Sequence, residues 1–392
     1  MRNLLLLIGF MPLSYAQSIT LEELLNNTTQ VEKMQRAIEM QSMAMESQNL
    51  ADSQLEPLTY NQSLSRSTST ALSGFEHEFG FSKELKLGNL QEIEQRQRRL
   101  NNEASTLEQK QYIVELKNRV KNSYHQYCLN RDYKETFQNK VTQFNELYSK
   151  KEKAYKEDEI AKTELLQIEL EKNRLENELA RFNQQVEDEK DALLTLTNFD
   201  NREQFSCQDL LPLTLNIDIE SSSFPITEEA YSKRIESTQV GLKRYENKID
   251  TIEVSAGYLR ELERDVYTIG ISIPLNSSSR QQEYERASLM HHSSALTLQN
   301  ETLVLAKEQQ RKALIREVKR TYQAVTAQEE TINSFKSRLL PLVEKSYKYG
   351  ESSVVEYLLS QQQLNQLQEQ LLEKKRGYYE KLFTLYTISE KK

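Results

Sequence analysis

Tryptophan is absent from this chain of 392 residues, and helix-breaking residues are scarce: 9 glycines and 6 prolines. So few breakers leave little room for the turns of a sheet-rich globular fold and favour long, uninterrupted helices. Beyond the N-terminus no run approaches the roughly 20 apolar residues that a bilayer-crossing helix needs. Charge of one sign is not concentrated either. The net charge is -8, with Lys and Arg interspersed among Asp and Glu, so the clustered cations that nucleic acid requires are missing and no nucleic-acid partner is expected. The 37% apolar content is low for one thick core and suits thin helices that each bury a stripe. The only cysteines are Cys128 and Cys207, which either form one bridge or remain two buried thiols. His77, His125, His291 and His292 have no metal-ligand spacing, and no phosphate-binding glycine loop, nucleophile elbow or paired acid-base motif occurs. Neither catalysis nor a cofactor or metal is expected.

What is present begins with an export signal. "MRNLLLLIGFMPLSYAQS" has a basic Arg2, a short apolar run, and small residues at Ser14 and Ala16 before a cut after Ala16. Gln17, rather than Cys, follows the cut, so lipidation there is not indicated. A helix from 19 to about 50 is predicted, with Thr20 as its N-cap and Glu23 three residues on. After Pro57 the period changes to two. Phe75, His77, Phe79, Phe81 and Leu85 alternate with Glu76, Glu78, Gly80, Ser82 and Glu84, which predicts a hairpin over about 58–85. From about Gly88 to Tyr155 apolar residues recur at three-four spacing, through Val120, Tyr124, Phe137, Val141 and Phe144. That is about 100 Å of helix. A shorter helix reaches about Thr197, and 198–225 reads as the one long irregular linker.

The second half repeats this order. A helix capped at Thr227 leads to a hairpin over about 251–275, in which Ile252, Val254, Ala256 and Tyr258 are followed by Tyr267, Ile269, Ile271, Ile273 and Leu275. A long helix from about Arg280 to Lys348 and a final helix complete it. The domains are therefore a signal peptide at 1–16, a first repeat at 17–197, an equatorial linker at 198–225 and a second repeat at 226–392. Helices 160–197 and 226–250 laid end to end match one long helix in length, which puts the linker at their junction. Tyr124 precedes Tyr155 by 31 residues and Tyr322 precedes Tyr347 by 25; if the first members correspond, the second long helix is about two turns short. Four strands cannot close a membrane barrel, whereas three copies supply twelve.

"YKYGESSVVEYLLSQQQL", read with "RLLPLVEKSYKYGE" and the repeated order, resembles the TolC-type outer-membrane efflux family, and is most similar to its heavy-metal and cation-efflux branch. The resemblance implies a mainly α fold with membrane β: a homotrimeric channel with a 12-stranded outer-membrane barrel, four strands per protomer, continued by a long periplasmic α-helical barrel. It implies a passive exit duct for tripartite efflux or type I secretion, set in outer-membrane lipid and docked to a periplasmic adaptor (membrane fusion) protein and an inner-membrane transporter. Tyr155, Asp158, Tyr347, Gly350 and Glu351 would form the helix-turn tips that dock the adaptor. Glu164 and Glu356, each six residues beyond the turn, would line the periplasmic entrance. Glu76, Glu78, Glu84 and Glu253 would face the barrel lumen and favour cations. Asp158 stands where the second turn has Gly350, so a looser first turn is expected. The alternative is a periplasmic coiled-coil adaptor or structural protein with its hairpins packed in a small soluble domain.

Overall fold

The computed structural model describes residues 18–53, 57–68, 73–199, 204–217, 223–246, 249, 251–261, 264–274 and 280–391. The export signal and Leu275 lie outside the described residues. In chain order the elements are α1 (Leu21–Asn26), α2 (Thr29–Ser53), β1 (Thr59–Thr68), β2 (Ser73–Lys86), α3 (Leu90–Lys156), α4 (Lys162–Leu196) and α5 (Pro225–Leu242). They continue as β3 (Thr251–Arg260), β4 (Asp265–Ser272), α6 (Gln281–Ser334), a π-helical turn (Phe335–Leu339), α7 (Leu340–Lys348) and α8 (Val354–Ile388). The chain divides into two compact units, and α3 and α6 contribute one part to each.

The first unit comprises Met1–Lys33, Ile113–Glu220 and Gln309–Lys392. Thr20 caps α1 in a reciprocal box with Glu23, but the expected single helix is broken at Asn27 and Thr28. The break has two ties. The buried Thr28 hydroxyl donates to the Leu24 carbonyl at 3.0 Å, and the Asn27 carbonyl accepts from the distant Asn198 amide at 3.1 Å. Along α3 the three-four stripe is buried in two successive clusters. Val120, Tyr124 and Cys128 pack with Val186 and Leu193 of α4. Phe137, Val141 and Phe144 pack with Ile168, Leu175 and Phe182 of α4 and with Val354 and Leu358 of α8. Leu314 and Val318 of α6 meet Tyr378, Leu382 and Leu385 of α8.

The second long arm is not short. Its three consecutive segments have 54, 5 and 9 residues against 67 in α3, equal to within one residue. The π turn accounts for the odd residue: the Leu340 amide bonds back five residues to Phe335, just before Pro341. Proline has no N–H and its ring crowds the carbonyl four residues earlier, so a widened turn ahead of it relieves the clash. Tyr322 therefore corresponds to Asn130 or Arg131, counted back from the turns, and not to Tyr124.

The irregular segment after α4 is fastened by side chains of α3 and α8. Cys207 is joined to Cys128 by a disulfide, with the Cα atoms 5.6 Å apart. Ile19 pairs in parallel with Phe205, and Arg131 donates to the Phe205 carbonyl at 2.9 Å. The Leu211 amide donates to His125 Nε2 at 3.0 Å, and the Leu211 carbonyl accepts from the Tyr379 hydroxyl. The Tyr378 hydroxyl serves Thr214 twice, accepting from its amide at 3.1 Å and donating to its carbonyl at 2.9 Å. Backbone groups that no sheet or helix satisfies are thereby paired.

The second unit comprises Met34–Tyr112 and Ser221–Glu308. Here α5 starts at Pro225, not at Thr227, with Phe224 in the cap position. Proline suits the first helical turn, where its missing N–H costs nothing, and the buried Thr227 hydroxyl instead accepts from Lys307 at 2.6 Å. Ile93 and Leu100 of α3 pack on Val240 of α5, flanked by Arg96–Glu236 at 2.9 Å, Lys233–Glu103 at 2.9 Å and Arg234–Glu108 at 2.8 Å. The four strands form one antiparallel sheet in the order β1-β2-β3-β4.

Candidate functional site

The sheet has two chemically distinct faces, because successive side chains point to opposite sides. Register fixes their membership. Tyr60 opposes Phe81, which opposes Ala256, which opposes Ile269; Phe79, Tyr258 and Tyr267 form the next row, and Val254 and Ile271 the one before. This face carries rings in pairs, Tyr60 with Phe81 at 5.3 Å and Tyr258 with Tyr267 at 5.2 Å. Among the described residues nothing in its own unit covers it: Ile269 is 87% exposed and Tyr267 78%. The other face holds Glu76, Glu78, Glu84 and Glu253 among Ser63, Ser82, Ser255, Thr268 and small Gly80, Gly257 and Gly270. Glu84 is directly opposite Glu253, and Glu78 accepts from the Ser63 hydroxyl at 2.9 Å. Strand alternation identified all four glutamates as members of one face; β4 ends at Ser272, so Ile273 lies beyond the paired ladder.

The two helix turns belong to the first unit and are the same turn. Asp158 (φ 57°) and Gly350 (φ 73°) are both left-handed. The Asp158 amide bonds to the Tyr155 carbonyl at 3.1 Å and the Glu159 amide to the Ala154 carbonyl at 2.8 Å. Gly350 to Tyr347 and Glu351 to Ser346 have the same lengths, 3.1 and 2.8 Å. This is a Schellman ending in both places. The expected looser first turn is not found, because aspartate tolerates the left-handed region.

Beyond the turns the equivalence breaks down at one side chain. Ser353 caps α8 in a box with Glu356: the Glu356 amide donates to Ser353 Oγ at 3.3 Å and the Ser353 amide to Glu356 Oε2 at 3.2 Å. The matching cap of α4 is Ala161, which has no such oxygen. Glu164, at the third helical position of α4, is used elsewhere. Its Oε1 accepts from Lys151 Nζ at 2.9 Å and from the Tyr347 hydroxyl at 2.9 Å, joining the α3–α4 hairpin to α7. Lys151 also lies over the Tyr347 ring at 4.7 Å, and that ring stacks on Tyr357 at 4.8 Å. Burial raises the Tyr347 pKa. At Lys151 burial alone would lower the pKa, but bonds to Tyr347 and Glu164 outweigh it and raise the value. Glu164 is thus half-buried and partnered, while Glu356 is exposed. Tyr155, Asp158 and Glu351 sit at the turns, Asp158 and Glu351 on the surface. Sequence reasoning missed Lys151 and Tyr357, since a lysine and a tyrosine on charged helices carry no signal of a remote partner. Around the turns Leu166 and Leu170 of α4, Leu342 of α7 and Leu359 of α8 are exposed.

No family profile matches the chain, and no curated protein matches it in sequence. Solved structures do match. CusC, whose structures concern folding and transmembrane channel formation, superposes with a TM-score of 0.74 at 14% identity over 94% of this chain and 90% of that one. The Campylobacter jejuni CmeC outer membrane channel gives 0.73 at 11% identity, over 94% and 85%. The open state of the Neisseria gonorrhoeae MtrE outer membrane channel gives 0.70 at 15%, over 95% and 88%. The fold of this chain is that of these outer-membrane channels.

Proposed function

We propose that the exported mature chain, beginning at Gln17, assembles as a homotrimer into an outer-membrane channel of a tripartite efflux or type I secretion system. One observation carries the reading: an apolar, aromatic-rich sheet face that no described residue covers, on a sheet whose edges are β1 and β4. Exposed edges and a greasy face are an aggregation hazard in water. In lipid, with three sheets joined edge to edge into twelve strands, both become assets. The opposite face then lines a lumen, where three copies of Glu76, Glu78, Glu84 and Glu253 favour cations. The two halves act as repeats around the linker, and the turns at Asp158 and Gly350 form the periplasmic end, docking an adaptor and an inner-membrane transporter. Glu356 supplies an entrance ring of carboxylates, while Glu164 serves chiefly to hold two hairpins together. The exposed leucines beside the turns support covering by neighbouring copies or by the adaptor.

Fractionation of cells making the full chain tests the proposal. The expected result is recovery only with detergent from outer membranes, crosslinking as a trimer. Release by osmotic shock as a soluble monomer would overturn it and favour the adaptor reading, in which the apolar face would need a cover within one chain.

A further inference from the structure

We infer that the barrel exterior carries a site for a bisphosphorylated lipid headgroup of the outer leaflet, formed by Arg66 of β1 and Arg260 of β3 with His77 between them on β2. The inference rests on the channel reading above. All four strands run from a helical end, where α2, α3, α5 and α6 attach, to a turn end beyond Thr68 and Arg260. On the apolar face, the rows from Leu85 and Ile252 up to Phe79, Tyr258 and Tyr267 are aliphatic or aromatic except for Lys83 and Gln62. The next row toward the turn end is Leu64, His77, Arg260 and Asp265, and above it Arg66 opposes Phe75.

Leu85 to His77 spans about 27 Å along a strand, or roughly 20 Å along the membrane normal after tilting. That is close to the height of the lipid-facing band, so Arg66, His77 and Arg260 emerge at the headgroups above a row of tyrosines. An outward arginine is costly at the bilayer midplane and nearly free at the interface. All three cationic or titratable side chains are exposed. Neither arginine has an ion-pair partner among the described residues: Asp265, opposite Arg260, accepts instead from the Tyr258 hydroxyl at 2.8 Å. Arg66 and Arg260 stand two strand spacings and one side-chain repeat apart, about 12 Å. Guanidinium groups recognise phosphate through paired N–H donors. Two of them at this separation, with an imidazole between, match two phosphates on one headgroup better than a single phosphate.

The test uses the detergent-extracted full-length assembly exchanged into micelles holding equal amounts of diphosphoryl lipid A, monophosphoryl lipid A and phosphatidylethanolamine, with retained lipids counted by native mass spectrometry. Wild type is expected to retain the diphosphoryl form at least five-fold over the monophosphoryl form. The double variant Arg66→Gln/Arg260→Gln is expected to lose that preference, and Arg260→Gln alone serves if the double variant does not assemble. Equal retention of the three lipids by wild type, or an unchanged preference in the variants, overturns the inference while the trimeric membrane protein itself persists. Failure to recover any membrane-embedded oligomer overturns the channel reading, and this inference with it.

Discussion

At the scale of single residues, one side chain that fastens the irregular segment responds to pH. His125 is fully buried; it accepts from the Leu211 amide at Nε2, so its hydrogen sits on Nδ1, 2.7 Å from the Lys121 carbonyl. Burial, the dominant cause, lowers its pKa to about 4. The unfolded imidazole titrates near 6.5, so between these values the unfolded chain holds the extra proton. Stability from this group is complete above about pH 6.5 and is lost as pH falls toward 4, by on the order of 3 kcal/mol. Thermal melts at pH 7 and pH 4.5 should show the drop for wild type and a smaller one for His125→Gln, which starts from a lower melting point. A second residue-scale expectation concerns Ala161. Ala161→Ser offers Glu164 the capping box that Glu356 already makes, in competition with Lys151 and Tyr347. Reconstituted channels of this variant, like those of Tyr347→Phe, should open more readily in planar-bilayer recordings than wild type; unchanged currents would deny the bridge a holding role.

At the scale of elements, the second helix turn and the disulfide that ties the irregular segment to α3 make two further expectations. A Cβ at Gly350 would meet no atom within 4 Å, so Gly350→Ala should cost only the left-handed backbone penalty, about 1–2 kcal/mol, while Gly350→Asp should cost less. Reducing the Cys128–Cys207 bridge, 79 residues apart in sequence, should remove about 4.5 kcal/mol on a chain-entropy account, read as a lower melting point in reductant. Much at this scale was legible beforehand. Period-two runs located the strands, a proline-free three-four stripe located α3, and Thr20 with Glu23 marked the start of α1. Two of the failures depend on a remote partner, and the third is one of alignment. The break after Asn26 is tied to Asn198, the start of α5 was hidden by a threonine whose hydroxyl serves Lys307, and the misplaced Tyr322 follows from taking a tyrosine match as alignment.

At the scale of the whole molecule, alternation along the strands was enough to sort Glu76, Glu78, Glu84 and Glu253 onto one face, because a pleated ribbon has only two sides. What alternation could not supply was which glutamate near the turns reaches a remote partner: Ser353 keeps Glu356 in its own cap, whereas beside Ala161 the Glu164 carboxylate bonds Lys151 and Tyr347. Replacing Glu78, Glu84 and Glu253 together by Gln should reduce the preference of reconstituted channels for potassium over chloride, measured as a shift of reversal potential toward zero in a salt gradient; an unmoved potential would mean these carboxylates do not line the conducting path.

The unpaired margins of β1 and β4 also have a genetic corollary. If closure joins each β4 to the β1 of the next copy, every ring holds three identical seams and no chain can opt out of two of them. A proline introduced into β4 would then behave as a poison rather than a simple loss: coexpressed in equal amount with wild type, it would leave only about one ring in eight wholly unaffected.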